Sequence, residues 1–316
     1  MLASLDHSQF TLQGLVSAKR ETVTVCIPTR ETAATIRATI DAIAALRDAG
    51  LVDQLMVVDA GSADGTATLA EAAGAEVFAE SGLVPELGPV AGKGDAMWRA
   101  LSVATGDIVL YLDGDIHDFG PHYVTGLLGP LLQPEGDGVD FVKGFYRRPF
   151  SLGDAETEDG GGRVTELTAK PMLELLAPEL AAFEQPLAGE CAARRSLLAE
   201  IPYCTGYGVE IAMLVEVWRR VGIGRMAQVG LGSKRNSHQG LSELGKMSRE
   251  VIEALVAQTA GAIEDVEGVS AAGGRAVGRS SLGVVHPAPG WRPRLELRPP
   301  MRSLTEASLA APGRLP

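Results

Sequence analysis

Cysteine is scarce in this chain: Cys26, Cys191 and Cys204 are the only three among 316 residues, an odd number at scattered positions. That argues against a disulfide framework and against a cysteine-rich metal site, and it marks the thiols as core or incidental groups of a reducing compartment. Long apolar runs are missing too. No stretch approaches the ~18 consecutive apolar residues of a membrane span. Asp6, His7 and Gln9 break up the N-terminal segment, where a signal peptide needs an unbroken apolar core. Basic charge is in deficit, with 28 Lys and Arg against 40 Asp and Glu and a formal net charge of −12. This balance disfavours a surface built to neutralise nucleic-acid phosphates, although an isolated cationic pocket can still hold a small anion. A cytoplasmic protein with neither a nucleic-acid nor a membrane partner is expected.

What is present is an ordinary globular composition, 46% hydrophobic and 22% charged. The length suits one large α/β domain with appendages or two small domains. Residues 1–22 read as a polar N-terminal arm with a short apolar turn. Val23–Ile27 is a β-branched run closed by Pro28, and Gln54–Asp59, Glu76–Ala79 and Asp107–Leu112 read as further strands. Between them apolar residues return at helical spacing through Ile36, Ile40, Ile43 and Leu46, with shorter helices over Thr66–Ala73 and Ala96–Ala104. This alternation predicts an α/β fold with a mostly parallel, doubly wound sheet, whose sites lie beyond the carboxyl ends of the strands. Val139–Tyr146 reads as another strand, followed by a Gly- and acid-rich loop over 151–162. Helices are predicted over 163–176 and 210–221, a last strand over 225–231 and a long helix over 241–259. From Gly261 onward, Pro287, Pro289, Pro293, Pro299 and Pro300 predict an extended, partly disordered tail. The expected division is an arm over 1–22, a catalytic domain over 23–240, and a C-terminal helix and tail over 241–316.

Polar motifs follow the strands. Asp113-Gly-Asp115 stands where the Asp107–Leu112 strand ends, so its two carboxylates can reach a hard cation, a ribose, or both. A metal there would neutralise charge developing on a departing diphosphate; a solvated acidic turn is the plainer alternative. Asp59-Ala-Gly-Ser62 lies past an earlier strand and lets backbone and hydroxyl approach a nucleotide, while Asp64 and Thr66 suit a helix cap. Gly92-Lys-Gly94 exposes one lysine at a helix start, with geometry for a phosphate or a base carbonyl. Gly160-Gly-Gly-Arg-Val-Thr165 offers backbone N–H groups, a guanidinium fork and a hydroxyl to an anion. Tyr207 and Glu210 open another helix; the glutamate suits either the helix dipole or a sugar hydroxyl.

In their order along one chain these motifs resemble the glucosyl-3-phosphoglycerate synthases and their close relatives, the mannosyl-3-phosphoglycerate synthases. The likeness is carried by Asp59-x-Gly-Ser, Gly92-Lys-Gly, Asp113-x-Asp, Phe145-Tyr-Arg-Arg-Pro149, Gly161-Gly-Arg-Val-Thr-Glu-Leu167, Gln185-Pro-Leu-x-Gly-Glu190 and Gly206-Tyr-Gly-Val-Glu-Ile211. Arg298-Pro-Pro-Met301 echoes the family's C-terminal end. The resemblance implies a glycosyltransferase type A fold, a homodimer, and Mg²⁺ or Mn²⁺ as the metal. It further implies retaining transfer of glucose from UDP-glucose to 3-phosphoglycerate, with GDP-mannose as the alternative donor. By motif, Pro28, Thr29, Arg30 and Glu31 would border the nucleoside, and Ser62 and Lys93 would reach the nucleotide. Asp113 would bind ribose or donor sugar and Asp115 the metal. Gly162, Arg163 and Thr165 would cradle the acceptor phosphate, and Tyr207 and Glu210 would orient sugar and acceptor. Asp113, Asp115 and Glu210 are the catalytic candidates.

Two positions depart from the family pattern. The usual acid one residue past Glu31 is Thr32 here, and Glu31 is expected to substitute by a small backbone shift. The metal-binding histidine of a His-x-Asn pair is reversed in Asn236-Ser-His238, so Asn236 falls on the ligand position. Imidazole is the better ligand, and His238 is expected to complete the site. A nucleotidyltransferase, a non-catalytic nucleotide-sugar binder and a membrane-bound polyprenyl-phosphate transferase are the rival readings.

Overall fold

The computed structural model describes residues 1–133, 138–148, 150–152, 155–157, 162–234, 240–267 and 294–304. Asn236 and His238 therefore lie outside the described residues, as do Gly160 and Gly161 of the glycine run.

The chain opens with strand β1 (Ala3–Asp6) and helix α1 (Leu12–Ala18), then β2 (Val23–Thr29), α2 (Ile36–Asp48), β3 (Gln54–Asp59), α3 (Thr66–Ala72) and β4 (Glu76–Ala79). Helix α4 (Lys93–Ala100), β5 (Ile108–Tyr111), α5 (His122–Leu132) and β6 (Phe141–Arg147) follow. A small hairpin of β7 (Phe150–Leu152) and β8 (Ala155–Thr157) precedes α6 (Lys170–Leu176), β9 (Cys191–Arg194), α7 (Arg195–Glu200) and β10 (Tyr203–Cys204). Last come α8 (Val209–Val221), β11 (Met226–Ser233), α9 (Leu241–Glu267) and β12 (Leu297–Arg298).

Eight strands form one sheet in the order β1-β11-β6-β9-β5-β2-β3-β4. All pairings are parallel except those of β9, which runs antiparallel between β5 and β6. The expected mostly parallel sheet is therefore present. One apolar cluster, with Ile27, Ile40, Val57 and Leu128, covers one face; a second, with Met56, Trp98, Leu173 and Leu214, covers the other. Because the strands are buried on both faces, β2 and β3 read as near-continuous apolar runs.

Four features escape the sequence patterns. Residues 3–6, expected in a polar arm, are the edge strand beside β11, in register Ala3↔Ala227. Ala-Ser-Leu-Asp carries no β-branched residue and is mostly exposed, so neither propensity nor alternation marks it. Cys-Ala-Ala-Arg in β9 is equally mute, yet it sits in the middle of the sheet. Helix α5 contains Gly126, Gly129 and Pro130, all poor helix formers. Its glycines earn their place by packing, since a Cβ at Gly129 would collide with the Phe10 ring and one at Gly126 with His7 and Leu231. The long C-terminal helix runs to Glu267, past the expected residue 259.

The C-terminal expectation needs a second correction, because residues 294–304 are anchored rather than loose. Arg298 makes a two-pronged ion pair with the fully buried Asp95, at 2.7 and 2.8 Å. Trp98 Nε1 donates to the Pro299 carbonyl at 2.8 Å. Breaking a buried pair of this kind typically costs about 3–5 kcal/mol, so this returning segment is tied firmly to α4.

Candidate active site

Parallel strands end together, and here their carboxyl ends deliver the polar motifs to one cleft of about 940 Å³. Pro28, Thr29, Arg30 and Thr32 come from the end of β2, Asp113-Gly-Asp115 from β5, and Arg148 from β6. Gly92 and Lys93 begin α4, Tyr207 and Glu210 begin α8, and Gly162, Arg163 and Thr165 close another wall. Glu31 and Ser62 do not line the cleft. Glu31 takes a left-handed φ of 53°, its amide donates to Ser62 Oγ at 2.9 Å and its carboxylate accepts from the Ala63 amide at 2.8 Å. These bonds brace Glu31 against the 61–63 turn, while Thr32, the unexpected residue, faces the cleft. Ser62 is held from below by Asp59, which accepts from its hydroxyl at 2.7 Å and its amide at 2.9 Å.

The two aspartates are treated differently by their surroundings. Asp113 has both oxygens committed: Lys93 donates to Oδ1 at 2.7 Å and Lys234 to Oδ2 at 2.8 Å. Burial disfavours its charge, yet the two ammonium groups outweigh that and hold its carboxyl well below the usual range. Lys93 continues to Glu210 at 2.7 Å. Burial opposes the charge of Lys93 as well, but Asp113 and Glu210 keep it protonated far above its ordinary value. With two of its three donors used, the Lys93 ammonium retains one for a ligand. Asp115 is exposed at the cleft and its carboxylate has no hydrogen bond or ion pair with any described residue. Hard oxygen donors with unspent lone pairs are what Mg²⁺ or Mn²⁺ takes, so Asp115 fits a metal and the doubly paired Asp113 does not. Among the described residues no cluster of three potential ligands exists; further oxygens would come from substrate phosphate and water.

Sequence motifs left several participants unassigned. Lys234 is fully buried and bridges Asp113 to Glu190 Oε1 at 2.5 Å. Glu190, also fully buried, accepts from the Tyr146 hydroxyl at 2.9 Å, and Arg148 donates to the same hydroxyl at 2.9 Å. Arg148 Nε is buried without a hydrogen-bond partner among the described residues. Glu250 on α9 accepts from the Tyr207 amide at 2.6 Å, which ties the long helix to the half-exposed Tyr207. Tyr146, Arg148 and Glu190 each lay inside a motif that had been noticed; Lys234 and Glu250 had no local signal.

Glycines make this density possible. A Cβ on Gly189 would collide with Asp113 Oδ1 and stand 2.7 Å from Lys93 Nζ. Gly94 faces the Cys204 carbonyl so closely that no side chain fits. Gly92 and Gly206, at φ 85° and 69°, lie back to back, and the Gly206 amide donates to the Ala91 carbonyl at 3.0 Å. Only glycine takes such φ values without strain.

Comparison with known proteins follows the same outline. The family model described as glycosyl transferase family 2 matches residues 24–151. Glucosyl-3-phosphoglycerate synthase of Mycolicibacterium smegmatis is 45% identical over 258 residues, covering 80% of this chain and 84% of that protein. The crystal structure of mannosyl-3-phosphoglycerate synthase from Rubrobacter xylanophilus superposes with a TM-score of 0.79 at 44% identity, over 96% of this chain and 97% of that one. Glucosyl-3-phosphoglycerate synthase from Mycobacterium tuberculosis, crystallised with Mn²⁺, UDP-glucose and phosphoglyceric acid, gives a TM-score of 0.76 at 39% identity, over 96% and 98%. The same enzyme has been crystallised with Mg²⁺ and UDP. These matches bear out the glycosyltransferase type A fold, and by them the chain belongs to the glucosyl-3-phosphoglycerate synthase family.

Proposed function

We propose that this protein transfers glucose from UDP-glucose to 3-phosphoglycerate with the aid of Mg²⁺ or Mn²⁺, retaining the anomeric configuration. The observation that carries the reading is the division of labour between Asp113, locked by two lysines, and Asp115, which lines the cleft and is engaged by no described residue. Asp115 would hold the metal, which when bound supplies positive charge to the departing diphosphate. Asp113, fixed in position and kept anionic, would accept from hydroxyls of the donor, and Lys93 would donate its remaining proton to the donor. Glu210, held by Lys93, would orient the sugar. Across the cleft Arg163, Thr165 and the Gly162 turn would receive the acceptor's phosphate.

Such an arrangement holds acceptor and leaving group on one face of the sugar, and a diphosphate oxygen there can take the acceptor's proton. Family membership also supports a homodimer and a cytoplasmic location; among the described residues no helix is long and apolar enough to cross a membrane.

Incubating the purified protein with UDP-glucose and 3-phosphoglycerate, with and without a chelator, tests the reading. UDP release and a phosphorylated glucoside that both vanish with the chelator are expected; no product from any nucleotide sugar would sink it. The 0.79 TM-score to a mannosyl-3-phosphoglycerate synthase keeps a second donor in view. Turnover of GDP-mannose measured beside UDP-glucose separates the two.

A further inference from the structure

Glu80 stands at the wall of the cleft and no step of the proposed transfer uses it. Its place follows from strand register. Thr29 is paired with Asp59, and Asp59 with Ala79, so the residues that follow, Arg30, Ala60 and Glu80, form a row across three adjacent strand ends. All three line the cleft, on the side where Pro28, Thr29 and Arg30 are proposed to border the nucleoside. Glu80 is only 6% exposed, and its carboxyl makes no hydrogen bond or ion pair with any described residue. A carboxyl so buried and so unpartnered is costly unless a ligand or a proton satisfies it.

Its neighbours favour the proton. Burial and the nearby Asp95 push the carboxyl up to about 7, with Asp59 acting in the same direction and Arg99 and Arg30 against it. Arg99 is the stronger of the two opposing cations, but it also lies 3.3 Å from Asp95 and donates to the carbonyls of Leu83, Val84 and Gly88. These are the charged groups facing Glu80 from α4, from β3 and from the loop after β2.

We propose that Glu80 reads the base of the nucleotide donor, its neutral carboxyl donating to a uracil carbonyl and accepting from the adjacent N3–H. The chemistry is complementary. A carboxylic acid offers one donor beside one acceptor, matching the imide edge of uracil. A carboxylate offers acceptors only, which repel the uracil carbonyl but suit the paired N–H donors of guanine. Protonation of Glu80 thus sets the base preference: uracil below the carboxyl's titration, with guanine gaining above it. This inference rests on the proposed use of a UDP-sugar.

Calorimetric binding of UDP and GDP, each with Mg²⁺ and without transfer, supplies the test. In the wild type the ratio of UDP to GDP affinity should fall by roughly tenfold or more between about pH 6 and about pH 8.5. The two diphosphates share their phosphate and metal chemistry, so the ratio isolates the base. Glu80→Gln keeps one donor and one acceptor but cannot ionise, and its ratio should stay flat with UDP still bound. A wild-type ratio that does not change with pH, or one that changes equally in Glu80→Gln, overturns the role of Glu80. Failure of UDP to bind either protein at any pH would instead remove the UDP-sugar reading, and this inference with it.

Discussion

Lys234 has no exposed side-chain surface, and its ammonium lies 2.8 Å from Asp113 Oδ2. The lysine comes from the end of β11 and the aspartate from the end of β5, strands separated in the sheet by β6 and β9. Replacing Lys234 by Met leaves the fully buried Glu190 and the partly buried Asp113 without their shared cation. A loss of about 3–5 kcal/mol is expected, read as a lower urea midpoint, together with a fall in kcat from a displaced Asp113. Retention of wild-type stability would show that the bridge is dispensable.

Asp115 behaves oppositely, being exposed and without a hydrogen bond or ion pair to any described residue. Asp115→Ala should leave the unfolding free energy within about 0.5 kcal/mol of wild type while lowering turnover by roughly a hundredfold or more. Titration of Mg²⁺ in the presence of UDP, followed calorimetrically, should show the metal site weakened. Full metal binding by the variant would place the ion elsewhere.

Gly189 marks the closest approach to the Lys93–Asp113 pair. A methyl group there must displace one of those side chains, because the added carbon meets Asp113 Oδ1 directly. Gly189→Ala should cost about 1–3 kcal/mol of stability and lower kcat more than it raises the KM for donor. Kinetics indistinguishable from wild type would mean that the cleft yields easily at this point.

Arg163 and Thr165 line the cleft and are the proposed seat of the acceptor's phosphate. Arg163→Lys keeps the charge but loses the planar fork. The KM for 3-phosphoglycerate is expected to rise roughly tenfold with donor affinity little changed. An equal loss of donor affinity would move this wall to the donor side.

Glu80 gives a pH signature in stability. Its carboxyl is raised in the folded protein from the ordinary 4.5 to about 7 by burial and by Asp95. A raised acid holds its proton more tightly when folded, so its contribution is fully present below about pH 4.5 and is lost as pH rises through about 7. Glu80→Gln removes that dependence. The variant should unfold like wild type near about pH 5 and exceed it by about 1–3 kcal/mol near about pH 8.5. Parallel stability curves would show that the carboxyl ionises freely.

Legibility in the sequence was uneven, for physical reasons. Buried parallel strands leave dense β-branched runs, so β2 and β3 are readable, and the helix between them shows its apolar spacing. Motifs at strand ends were readable because glycine, lysine and paired aspartates are conspicuous there. Residues 3–6 and 191–194 were silent, since Ala, Ser and Cys declare no strand and only pairing with β11, β5 and β6 makes them one. Glu80 was silent too, as an acid after a short strand has no local meaning.

The sequence by itself determined the fold class, the family, the cleft's location past the strand ends and many of the polar residues that line it. It could do so because backbone propensity, glycine placement and apolar period are local properties. Only the tertiary structure decided that Asp113 is clamped by Lys93 and Lys234 while no described residue pairs with Asp115, and that Thr32 rather than Glu31 faces the cleft. Those outcomes depend on side chains that lie far apart in the chain and meet only when the strands assemble. Charge and burial are then shared among them, and no single residue's identity reveals its share.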